Sequence, residues 1–214
     1  MNLSTVKKLL LIGLTSVLVT LSLASCKVTL QSGANGLYDK ANDISYNHAS
    51  TVYEAIALVK EYGKLTVTDT ESYILYTIPG MDPTEMLATE DCNIVYASDY
   101  DMPTLMDMTP TILHICTDSH EIKRMEDAVA IASLVYDYAE GESLAYPGTT
   151  PLRSYKARFE SVNYPGFFYT LTYVEYADDL TVDEKSYGKY FLYNAFDQRF
   201  VPVGDEIHKA LGLE

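Results

Sequence analysis

Apolar and polar positions alternate with different periods along the chain. Residues 9–23 form an apolar run broken by Gly13 and small hydroxyl residues, with Lys7 and Lys8 just before it. At 52–62 the period is helical. Val52, Ala55, Ile56 and Val59 share one face, Thr51 and Glu54 have capping-box spacing, and Gly63 stands where a C-terminal cap belongs. Period two follows over 65–78, with 69–72 as the turn of a hairpin that Pro79-Gly80 ends. A short helix is expected near 84–88, then strands at 93–97 and 111–117 joined by an acidic, Met-rich segment. The longest helix is predicted over 119–139. Ile122, Met125, Val129, Ala132 and Tyr136 form its stripe, which Ala128, Ile131, Val135 and Tyr138 broaden. Strands at 154–162 and 167–176 flank Tyr164-Pro165-Gly166, and two more are predicted at 187–196 and 199–203 before a short helix at 206–211. This order predicts an α+β domain: an antiparallel sheet packed by one long central helix, with a shorter N-terminal and a short C-terminal helix.

The first segment reads as an export signal. A basic start, a short apolar middle and small residues before a cut site mark a secretory signal. The apolar run is shorter than the ~20 residues that span a bilayer comfortably. It ends in Leu23-Ala24-Ser25-Cys26. These four residues resemble the lipobox of bacterial lipoproteins, a resemblance confined to the first 26 residues or so. It implies a diacylglycerol on the Cys26 thiol, cleavage just before Cys26, and further acylation of the new N-terminus. Residues 1–25 are then a signal peptide, 26–36 the lipidated Cys and a flexible tether, and 37–214 a single α+β domain. Gly33, Gly36, Ser32 and Asn35 give the tether its flexibility. The expected location is the cell membrane, lipid-anchored and facing outside the cytoplasm, or the outer membrane where a cell has two.

Charge narrows the partners. The formal charge is −15, from 30 acidic and 15 basic residues. Loss of Lys7 and Lys8 with the signal leaves 13 basic residues and a charge of −17. Such a balance argues against nucleic acid, whose phosphates are bound by Lys and Arg, and against electrostatic attachment to anionic headgroups. The expected partners are the membrane, through the lipid, and a ligand or envelope protein of unknown identity. With Cys26 taken by lipid, Cys92 and Cys116 are an even pair, either a disulfide or two buried thiols. Antiparallel pairing of 93–97 with 111–117 would bring the two together.

Motifs for catalysis are lacking. The chain has no Gly-x-Ser-x-Gly, no phosphate-cradling loop and no Cys-x-x-Cys. His120-Glu121 begins like a zinc-protease helix, but Arg124 occupies the second ligand position. Met102, Met106 and Met108 precede His114, Cys116 and His120, a donor set that suits a soft ion. Met106, His114, Cys116 and His120 are its weak candidate ligands, set against core Met and a strand His. No cofactor is called for. The 19 Tyr suit half-buried strands and wet binding surfaces alike, and Tyr169, Tyr173, Tyr187 and Tyr193 form the candidate binding surface. The expected function is a non-enzymatic, lipid-anchored binding domain. The alternatives are an envelope hydrolase with scattered acid/base residues and a soft-metal-binding protein.

Overall fold

The computed structural model describes residues 28–33, 36–66 and 72–213. The signal segment, Cys26 and residues 67–71, which include most of the expected hairpin turn, lie outside them. The described chain is mostly β-sheet with three short helices, so the expected α+β domain built on a long central helix is overturned.

Seven strands curl into a barrel: β1 (Val28–Gly33), β2 (Gly36–Asp39), β3 (Ile44–His48), β5 (Lys60–Thr66), β6 (Ser72–Thr77), β7 (Met86–Thr89) and β8 (Ile94–Ala97). Their order is β1-β2-β3-β8-β7-β6-β5. Parallel pairing of β1 with β5, Val28 opposite Gly63 through Gln31 opposite Thr66, closes it. The segment expected to be a flexible tether thus supplies, over Val28–Gly33, the closing strand. Leu37, Tyr46, Leu75, Leu87 and Val95 fill the barrel. Tyr46 is wholly buried and donates its hydroxyl to the Pro83 carbonyl, which satisfies the polar tip.

A second sheet has the order β10 (Glu121–Met125), β9 (Ile112–Cys116), β11 (Arg153–Ser161), β12 (Tyr164–Glu175), β15 (Tyr190–Asn194) and β16 (Arg199–Pro202). Short β4 (Tyr53–Ala55) pairs with the first half of β12 and touches the barrel through Glu54 opposite Asn93. A separate ribbon joins β13 (Thr181–Val182) to β14 (Lys185–Ser186). The helices are α1 (Leu105–Met108), α2 (Ala128–Glu140) and α3 (Glu206–Ala210).

Three predicted helices became strand in whole or in part, for readable reasons. At 52–62, Val52 and Ala55 are buried but Val59 is 64% exposed, so the helical stripe never forms. Glu54 bonds Arg158 instead of capping a helix, and Gly63 lies beside a bulge in β5. At 119–139 the helix starts only at Asp127, whose carboxylate accepts from the Val129 and Ala130 amides. Before it, β10 pairs with β9. The buried face of α2 is Ile131, Leu134, Val135 and Tyr138, while Val129 and Tyr136 of the expected stripe face solvent. The expected helix near 84–88 is β7. The turn between β11 and β12 falls at Val162-Asn163, leaving Pro165 inside the start of β12.

The main core lies on one face of the second sheet, and a smaller cluster around Val174, Phe191 and Phe200 lies on the other. Leu113, Ile115, Ala157, Phe159, Phe167, Leu171, Tyr173, Leu192 and Val201 gather in the main core with the buried face of α2. Met86, Ala88 and Ile94 from the barrel wall join the same cluster, which couples barrel and sheet.

The barrel holds one buried carboxylate. Asp39 accepts from the Ala41 amide (2.9 Å), the Asn42 amide and side chain, and the Tyr62 hydroxyl (2.9 Å). Burial opposes its ionisation, but these donors outweigh it and hold the carboxyl below its ordinary value of 3.8. The unfolded chain therefore binds this proton more readily. The stabilisation is present above about pH 4 and is lost as pH falls through the lower, folded value. Asp39→Asn is expected to cost about 1–2 kcal/mol near neutrality and to flatten the stability loss between pH 4 and 3. Urea unfolding across pH 3–6 measures both.

Candidate functional site

The face of the second sheet turned away from the main core carries polar chemistry because the strands alternate. On β11, Ala157 and Phe159 point into the core while Lys156, Arg158 and Glu160 point out. Register then sets one row across four strands. Cys116 lies opposite Lys156, Lys156 opposite Thr172, and Thr172 opposite Tyr193. Steps of ~4.8 Å between strands put the ammonium, the hydroxyl and the ring side by side. Tyr193 is held by stacking on Tyr146 at 4.6 Å and by the edge of Phe200.

The barrel folds over this row. Residues 51–54 and the β7–β8 turn meet β11, β12 and β15 around a cleft of about 340 Å³, with Glu54, Asp91, Asn93, Lys156, Thr172 and Tyr193 in its lining. Several of its walls are already satisfied within the protein. Glu54 takes two hydrogen bonds from Arg158, at 3.0 and 2.5 Å, and one from Thr170. Asn194 is bonded to Asp197 and to the Phe196 amide. Lys156 is freer, since its nearest carboxylate, Asp118, is 3.9 Å away and almost fully exposed.

No protein-family model, curated protein or solved structure matches the chain. The reading of the site therefore stands on its own geometry.

Beside the cleft lies a second polar cluster. His114 is buried, with Nδ1 2.5 Å from Glu121 and Nε2 2.6 Å from Glu160. A neutral imidazole has one N–H and serves one carboxylate. Both contacts together need the imidazolium or a shared carboxyl proton. Phe168 meets the His114 ring edge-on at 5.2 Å, and the Arg158 guanidinium lies 5.7 Å from the Phe168 centroid. With both nitrogens occupied, His114 has none free to act on a substrate or bind a metal. Among the described residues no three His, Cys, Asp or Glu side chains converge as metal ligands. The two Glu of this cluster sit on opposite sides of the imidazole rather than around one point.

The other sequence candidates scatter. Met106 is exposed on α1. His120 is exposed in the turn before β10, against the Thr117 hydroxyl. Cys92 and Cys116 are free thiols. The pairing expected to join them does not form, because β8 and β9 belong to different sheets. Burial, then the Glu54 carboxylate, push the Cys92 thiol up. Burial pushes Cys116 up against the pull of Arg158. Both thiols are thus held away from the reactive thiolate form.

The candidate Tyr surface splits in two. Tyr169 and Tyr173 are buried in the main core, and burial pushes both phenols up. Tyr193 lines the cleft, and Tyr187 packs with it against the cluster of Val174, Tyr176, Phe191 and Phe200. Sequence reasoning missed Lys156, Arg158, Glu54 and Asp91. One signal was available: three charged residues two apart, two of them basic, on a strand of a strongly acidic chain.

Proposed function

We propose that this chain is a lipid-anchored, non-enzymatic binding domain of the cell envelope, held outside the cytoplasm by acylated Cys26. Its ligand occupies the cleft between the barrel and the second sheet. One observation carries the reading: the cleft gathers polar side chains from five separated segments, at 51–54, 91–93, β11, β12 and β15–195. Its volume lies in the range of small-molecule sites. The export segment and the lipobox-like residues at 23–26 support the location.

The anchor is tested by metabolic labelling with an alkyne analogue of palmitate. Wild-type protein is expected to carry the label and to sediment with membranes. Cys26→Ser is expected to lose the label, because the residue 26 thiol is the acylated group. A wild-type protein that takes up no label, or a Cys26→Ser protein labelled as fully as the wild type, would sink the lipid anchor.

A further inference from the structure

Resting on that reading of the cleft, we propose that its ligand is a small zwitterion of amino-acid type, with its carboxylate on Lys156 and Thr172 and its ammonium on Asp91. Several of the charged and polar lining groups already have partners. Glu54 is neutralised by Arg158, and Asn194 is engaged with its own turn. Two charges of opposite sign are left on different walls, Lys156 with only a 3.9 Å contact to the exposed Asp118 and Asp91 on the facing turn. Lys156 projects from the sheet and Asp91 from the β7–β8 turn of the barrel, and among the described residues no ion pair joins them. A neutral ligand could hydrogen-bond both groups but would bring an opposite charge to neither. An anion would satisfy Lys156 and leave Asp91 repelling it. A molecule carrying a carboxylate and an ammonium satisfies both.

The geometry assigns the ends. Lys156 and Thr172 are direct cross-strand neighbours, so an ammonium and a hydroxyl converge on one anionic group. Tyr193 is the next residue in the row, and its ring is fixed by Tyr146 and Phe200. A fixed ring offers apolar contact to the ligand's body without an ordering cost on binding. The small volume limits the ligand to about one amino acid or a short peptide.

The experiment titrates the domain with L-phenylalanine, L-leucine and L-lysine, following backbone amide resonances and binding heat. N-acetyl-L-phenylalanine lacks the ammonium, L-phenylalaninamide lacks the carboxylate, and maltose is a neutral, hydroxyl-rich probe. At least one free amino acid is expected to shift the Lys156, Thr172 and Asp91 amides. Each capped form is expected to bind at least tenfold more weakly. Lys156→Met and Asp91→Asn should each weaken binding tenfold or more. Lys209→Ala, an exposed residue of α3 paired with Asp205, serves as a control and should leave it unchanged. Capped forms that bind as well as the free amino acid would overturn the assignment, as would wild-type affinity in Lys156→Met and Asp91→Asn. If maltose shifts the cleft amides and the amino acids do not, the ligand class is wrong and the cleft is still a binding site. If no probe shifts them, the zwitterion assignment falls and the case for the cleft goes with it.

Discussion

Replacing His114 with alanine is expected to cost about 3 kcal/mol of folding stability, the low end of what breaking a buried ionic group costs, because Glu121 and Glu160 are 44% and 31% exposed and water screens them. The imidazole ties three strands, since β9 carries it, β10 supplies Glu121 and β11 supplies Glu160. Without it the two carboxylates face one another across β9 with no donor between them, beside the apolar edge of Phe168. For a domain of this length the loss corresponds to a fall in Tm of roughly 6–12 °C. The cause can be separated from simple cavity formation. A triple variant, His114→Leu with Glu121→Gln and Glu160→Gln, removes the charges together and is expected to regain most of the stability. Calorimetry on the three proteins decides. A triple variant no more stable than His114→Ala would mean that packing, not charge, is what the imidazole supplies.

The second large effect concerns closure of the barrel. A chain begun at Gly36 lacks β1, which pairs with β2 over Leu30–Gly33 and with β5 over Val28–Gln31. Its removal bares the hydrogen-bonding edges of two strands at once. Lost ladder bonds at about 0.5–1 kcal/mol each suggest a cost of about 3–5 kcal/mol. The exposed edges also invite pairing between molecules. Compared with a chain begun at Lys27, the shorter one is expected to melt well below it and to self-associate, as read by light scattering. The imidazole resonances of His114, in the other sheet, should stay in place in whatever remains monomeric. Equal Tm and a monomeric short chain would show that β1 contributes nothing to closure.

The strands of the last third were legible because their period is unambiguous. Ala157 and Phe159 against Lys156 and Arg158 admit one reading, and β11, β15, β16 and α3 lie close to where the pattern put them. Two of the failures share a cause. At 52–62 and at 119–126, apolar residues three and four apart mimic a helix over a stretch too short to distinguish helix from strand. Tertiary pairing then decided. Glu54 reads as a cap and Glu121 as part of a helix start, yet each bonds a residue from another strand, Arg158 and His114. A carboxylate three positions after a hydroxyl or acid cannot announce a distant partner. The cleft was illegible for a related reason. Its lining comes from segments up to 144 positions apart, Thr51 to Ala195, and only the register of β11, β12 and β15 sets them side by side.

The start of β1 at Val28 has a consequence for how the protein meets its surroundings. Were Cys26 acylated as proposed, Lys27 alone would stand between the lipidated residue and the first strand residue, Val28. Two residues of chain reach at most about 7 Å. Under that proposal the barrel would not be on a leash that sweeps through solvent. One end of it would be pinned against the headgroups, its tilt and rotation narrowed, and the acidic body pushed outward from a negatively charged surface. A domain held this way samples what passes within a few nanometres of the bilayer.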